Sequence, residues 1–148
     1  MKPSLLIISA GILQVPAILK AKKLGYHTIV TDQNPKSPGF SHCDEKIFLS
    51  TKDIEGHELL AKKLKKSKNL VGVYTQGTDV EYTVAKAAKA AGLPGIDPEV
   101  ARKCNDKIMM RKLFKSKNVE KMKFQSASNY TQALSAVKKI GFPCIIKP

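Results

Sequence analysis

The sequence predicts an α/β protein: an open, parallel, Rossmann-like sheet covered by helices on both faces, followed by a second, shorter unit. Short, nearly continuous apolar runs alternate with helix-period segments through the first hundred residues, the pattern of strands buried on both faces. One local grammar recurs in "AILKAKKLGYHTIVTD", "AKAAKAAGLPGIDP" and "ALSAVKKIGFPCIIKP": a helix rich in lysine and alanine, a glycine that ends it, and a short run that is apolar in the first and third. After Gly95 the texture changes to basic, helix-rich sequence, which places a boundary near residue 100.

Taken in order, Leu5 to Ser9 reads as a strand, and Gln14 to Leu24 as a helix with Pro16 in its first turn. Thr28 to Thr31 and Lys46 to Leu49 are the second and third strands. Glu55 to Lys66 is a helix, Leu70 to Tyr74 a fourth strand and Val80 to Ala91 a further helix. Strands joined by helices in this way take right-handed crossovers and build a parallel sheet. Residues 1–100 form this unit. Residues 101–148 are expected to hold linker helices, one capped by Asp97 with Pro98 and one by Asn105 or Asp106, and then an unfinished unit. In that unit "MKFQSA" and "CIIK" are expected strands flanking a helix over "NYTQALSAVKKI".

A chain of 148 residues with 43% hydrophobic content has the composition of a globular protein. No run approaches a membrane span, and the apolar opening is broken by Pro3, Ser9 and Gly11, so it reads as a buried strand of a cytoplasmic protein. Cys43, Cys104 and Cys144 are odd in number and lack a C-x-x-C pair, which favours reduced thiols. The local cluster His42-Cys43-Asp44 does not have the spacing of a metal site, so no metal ligands are assigned. Net charge is +14, and most of the excess belongs to the last third. Such a stretch attracts phosphates or an acidic surface. Nucleic acid is not expected, because Phe114, Phe124, Tyr130 and Phe142 mostly fit apolar positions and do not interleave with the lysines as a stacking platform.

In an open parallel sheet, ligands gather at the carboxyl ends of strands. The first such turn, "SAGILQVP", has Gly11 alone where a dinucleotide fingerprint needs three glycines. Asp32 at the end of the second strand then reads as a cap of the "DQNP" turn, and a nicotinamide-binding module is the weaker alternative. In "TQGTDVEYT", Thr78 and Glu81 have capping-box spacing, which leaves Thr75, Gln76 and Asp79 to face a ligand beside Gly11 and Gln14. In the last third, Lys107 lies in the first turn of a helix, where it opposes the macrodipole unless an anion is near. Lys147 interrupts an apolar strand, a place for an edge residue or for the holder of a negative group.

The order of a Rossmann-like unit, the segment "GLPGIDPEVARKCNDKIMMRKLFKSKNV", a strand, a helix and "GFPCIIKP" resembles the start of ATP-grasp enzymes. The likeness is in particular to carbamoyl-phosphate-synthase-like and biotin-carboxylase-like ligases. It makes residues 1–100 a pre-ATP-grasp domain and residues 101–148 the start of an ATP-grasp domain. It implies that Lys107 and Lys147 contact ATP phosphates, and that "SAGILQVPAILKAKKLGYHTIVTDQNP" helps form the substrate side. Enzymes of this class use ATP and magnesium to turn a small carboxylate or bicarbonate into an acyl phosphate that an amine captures, with no nucleic-acid or membrane partner. The magnesium ligands and the glycine-rich flap are expected beyond residue 148. The chain then reads as the N-terminal part of a longer ligase, a cloned domain or a truncated gene product, inactive by itself. Exposed halves of an incomplete domain can pair, which allows a homodimer.

Overall fold

The computed structural model describes residues 2–119 and 121–147. It divides into two compact units, Met1–Asn105 and Asp106–Pro148.

The first unit is an α/β sandwich on a four-stranded parallel sheet, as the sequence predicts. Its strands are β1 (Ser4–Ile8), β2 (His27–Asp32), β3 (Glu45–Phe48) and β4 (Leu70–Tyr74). They lie in the order β3-β2-β1-β4, and every pairing is parallel. The helices are α1 (Val15–Lys23), α2 (Ile54–Ser67), α3 (Glu81–Ala90) and α4 (Pro98–Asn105).

Side chains alternate across a strand, so β1 feeds two cores. Leu6 and Ile8 join Ile29, Leu70, Ala61 and Leu64 of α2, and Ala87 of α3. Ile7 joins Val30, Phe40, and Ile18 and Ala21 of α1 on the other face. The small alanines let α2 and α3 approach the sheet closely. The buried polar groups are satisfied: Ser4 Oγ donates to the Lys68 carbonyl at 2.7 Å. The fully buried His57 accepts from Thr31 Oγ1 through Nε2 at 2.9 Å and donates from Nδ1 to the Asp53 carbonyl at 2.7 Å. Asp53 itself caps α2, accepting from the Gly56 amide at 2.9 Å.

β2 lies on one side of β1 and β4 on the other, so the chain reverses direction across the sheet between β1 and β4. This is the switch point at which open α/β sheets leave a crevice beyond their strand ends.

The second unit holds α5 (Lys107–Ser116) and α6 (Tyr130–Ile140). Asp106 caps α5 through both the Ile108 and Met109 amides at 2.9 Å, and Asn129 caps α6 through the Gln132 amide at 2.9 Å. The expected strands over "MKFQSA" and "CIIK" are not strands: residues 121–127 and 144–147 take part in no ladder among the described residues. A strand exists only with a partner, and among the described residues neither segment has one. The two expected linker helices also divide differently: α4 packs on α3 within the first unit, while α5 belongs to the second. All three cysteines are free.

Candidate functional site

The turn that leaves β1 is held from three sides. Its Ser9 takes a left-handed φ of 80°, an uncommon conformation for a residue with a side chain. The Ser9 amide donates to the Thr31 carbonyl at 2.8 Å, and the Ala10 amide donates to Asp32 Oδ2 at 2.8 Å. The Ala10 carbonyl accepts from the Gly39 amide at 2.7 Å, in a contact so close that a Cβ at Gly39 would stand 2.8 Å from the same oxygen. Asp32 Oδ1 accepts from the Asn34 amide at 2.9 Å, which makes the turn that the sequence suggests at "DQNP". Both carboxylate oxygens of Asp32 are therefore engaged with backbone. The ribose contact that a nicotinamide reading would ask of it competes with these bonds.

Across the switch point, the β1 and β4 turns touch. Gln14 is only 2% exposed, and its Nε2 donates to the Gln76 carbonyl. Leu13 lies over Gly77, where a Cβ would come within 2.9 Å of Leu13 Cδ1. Thr75 Oγ1 donates to the Ile8 carbonyl at 2.8 Å, tying the end of β4 to the end of β1. Gly11 faces the Gln14 amide group: a Cβ there would sit 2.9 Å from Gln14 Oε1, so the glutamine side chain would have to shift. The structure thus gathers Gly11, Gln14, Thr75 and Gln76 at one sheet edge. It spends the side chains of Gln14 and Thr75 on holding that edge together. Gln76 and Asp79 remain exposed at the start of the β4–α3 connection.

The capping box expected from Thr78 and Glu81 is not made. Val80 precedes α3 with no side-chain cap, its amide bonding the Thr78 carbonyl at 3.0 Å. Glu81 Oε2 instead accepts from Asn105 Nδ2 at 2.7 Å, so a residue at the end of α4 takes the carboxylate. Spacing within one turn could not reveal a competitor 24 residues away. Sequence reasoning also missed Gly39 and Gly77, whose signal is the absence of a side chain where two backbones meet.

A hollow of about 250 Å³ lies elsewhere, at the C-terminal end of α3, lined by Lys89, Leu93, Gly95, Ile96, Asp97 and Pro98. It is a helix length from the strand ends and carries no convergent chemistry.

In the second unit, Lys107 opens α5 and Lys147 lies on the segment after α6. Both are exposed and stand outside the ion pairs of the described residues. Asp106 already satisfies the first amides of α5, so an anion at Lys107 would meet the ammonium group and not a bare helix terminus. Among the described residues, no group of three or more His, Cys, Asp or Glu side chains could hold a metal ion.

No family model matches the chain. It is 27% identical over 138 residues to the carbamoyl phosphate synthase large chain, C-terminal section, of Methanocaldococcus jannaschii, a match covering 90% of this chain and 22% of that protein. The fold matches phosphoribosylglycinamide synthetase from Anaerococcus prevotii with a TM-score of 0.72 at 29% identity, covering 95% of this chain and 36% of that one. It matches N5-carboxyaminoimidazole ribonucleotide synthetase from Thermotoga maritima with a TM-score of 0.69 at 26% identity, covering 97% and 37%. The chain thus spans well under half the length of the proteins it matches. Sequence and fold together make it similar, over nearly all of its own length, to the N-terminal pre-ATP-grasp region of carbamoyl-phosphate-synthase-like ATP-grasp ligases.

Proposed function

We propose that the chain supplies the N-terminal part of an ATP-dependent carboxylate–amine ligase, which forms an acyl phosphate from a small carboxylate or bicarbonate and passes it to an amine. The observation that carries this reading is the likeness over 90% or more of the chain to a carbamoyl phosphate synthase and to a solved synthetase. The parallel sheet supports it by leaving its switch point at the β1 and β4 turns.

In this reading the edge formed by Gly11, Gln14, Thr75, Gln76 and Asp79 is the substrate side. Gln76 and Asp79 face the ligand, while Gln14 and Thr75 hold the two turns in register. Lys107 and Lys147 meet ATP phosphates. Each has an exposed ammonium group with no carboxylate competing for it in the described ion pairs, and fixed cations stabilise the charge that builds on phosphoryl oxygens. The family chemistry also uses magnesium, but the donor set among the described residues does not fit a metal site, so no metal step is assigned to them. By themselves the 148 residues turn over no ATP.

Two measurements test this. Release of phosphate by the 148-residue chain above background would overturn the statement on turnover. In the full-length ligase, Lys107→Ala and Lys147→Ala should each weaken ATP binding by about tenfold or more, the value of a charge-assisted contact. Unchanged nucleotide affinity in both variants would remove the assignment of these lysines.

A further inference from the structure

Two polar side chains meet inside the first unit where an apolar pair would fill the same space. Thr31 and His57 are both 0% exposed. Thr31 follows Ile29 by two residues and so lies on the same face of β2, the face that packs against α2. His57 comes from the first turn of α2. Burying a hydroxyl and an imidazole costs free energy unless both are bonded, and a methyl in place of the hydroxyl would avoid that cost. What the polar pair adds is a fixed direction.

The direction follows from the tautomer. A carbonyl only accepts, so the 2.7 Å contact between His57 Nδ1 and the Asp53 carbonyl places the ring proton on Nδ1. Desolvation holds the imidazole below its usual pKa, so Nε2 keeps a lone pair, and the Thr31 hydroxyl donates to it at 2.9 Å. The start of α2 is thereby tied to the end of β2. Thr31 and Asp32 in turn hold two successive amides of the β1 turn. The Ser9 amide donates to the Thr31 carbonyl and the Ala10 amide to Asp32 Oδ2, both at 2.8 Å. Ser9 needs such restraint, because its φ of 80° is a conformation that a residue with a Cβ leaves when released. Gly11 and Gln14 come next in the chain, and Gln14 carries the bond to the Gln76 carbonyl.

We propose that His57 is a positioning residue for the edge formed by Gly11, Gln14, Thr75 and Gln76: it fixes the end of β2 through the Thr31 hydroxyl, and the end of β2 fixes the β1 turn. The mechanical link rests on the hydrogen bonds alone. Its use in holding a substrate rests on the ligase reading above.

The test reads amide exchange by NMR in the 148-residue chain, then kinetics in the full-length ligase. Thr31→Val keeps the shape and removes the hydroxyl. It should speed exchange of the Ser9 and Ala10 amides about fivefold relative to those of Leu6 and Ile29, the value of one net hydrogen bond. The Leu6 and Ile29 rates carry any change in global stability. Thr31→Ser should restore the parent ratio. His57→Leu should loosen the same two amides, and adding Thr31→Val to it should loosen them no further, since both remove one contact. The ligase arm uses whichever of bicarbonate, formate or the standard amino acids drives phosphate release from ATP. Thr31→Val should raise the KM of that compound by a similar factor and leave the KM of ATP unchanged, and Thr31→Ser should reverse the effect. Acceleration of all four amides alike, or unchanged Ser9 and Ala10 rates, would overturn the link. A looser turn with both KM values unchanged would overturn the positioning role and leave the ligase reading standing. If none of the compounds drives phosphate release, the substrate role falls with the ligase reading, and exchange still decides the link.

Discussion

The first unit buries Leu6, Ile8 and Ile29 completely, whereas no described residue of the second unit is buried. Yet helices of both units carry equally good caps, Asp53 in the first and Asp106 and Asn129 in the second. The difference separates two kinds of stability. A cap and a helical period are local and appear wherever the sequence writes them. A core and a ladder need partners from a distance, and only the first unit has found them.

The largest effect that tests this contrast comes from paired truncations. Leu6→Ala should cost about 3 kcal/mol in urea unfolding, because the cavity it leaves lies between a strand and two helices that cannot collapse onto it. Leu134→Ala, on the exposed face of α6, should change stability by less than about 0.5 kcal/mol. Comparable costs at both sites would show that the second unit has a core after all, and would erase the contrast.

A second test uses pH and reads the first unit alone. Desolvation pushes the His57 imidazole below its usual range, against the opposing pull of the bond from its Nδ1 to the Asp53 carbonyl. The unfolded chain takes up a proton near pH 6.5 while the native ring resists it. Stability should therefore fall as pH drops below about 6.5, by at most ~1.4 kcal/mol per pH unit, until the native ring is also protonated. Further down, Asp44 adds a second decline. Burial would raise its carboxyl, but the Thr28 amide, the Lys22 ammonium and the Thr28 hydroxyl together hold it well below the usual carboxylate range. His57→Gln should flatten the first decline and leave the second. A stability profile flat from pH 7 to 5 in the parent chain would show that His57 is not held neutral.

The smallest effect compares caps. Asp53→Ala and Asp106→Ala should each remove about 1 kcal/mol from their helix. The loss at Asp53 should appear in global unfolding of the first unit. The loss at Asp106 should appear only as faster amide exchange within α5. If Asp106→Ala also lowered the global midpoint, the cap of α5 would contribute to the stability of the first unit and the contrast would fail.

How much of this was readable in advance follows the same division. The four strands of the first unit each fall within a residue of where their apolar runs put them, because burial on both faces writes a continuous run into the sequence. The segments 121–127 and 144–147 form no ladder among the described residues, and residue type cannot report whether a partner strand exists. At the candidate site, the meeting of the β1 and β4 turns follows from topology, since both leave strand ends at the switch point. The bond from Gln14 to the Gln76 carbonyl spans 62 residues, and the diversion of Glu81 to Asn105 spans 24. Such pairings depend on how helices settle on the sheet, which no local spacing encodes.

The left-handed Ser9 has a consequence for how this chain can drift by mutation. Its conformation costs a residue with a Cβ about 1–2 kcal/mol that glycine would not incur. In exchange its hydroxyl accepts from the Gly11 amide at 3.4 Å and stands 3.5 Å from Asp32 Oδ2. Position 9 is thus a balance between an easy backbone and a polar side chain. Glycine and asparagine are open substitutions there, while valine or isoleucine would close the route by which β1 turns toward the edge where a ligand would sit.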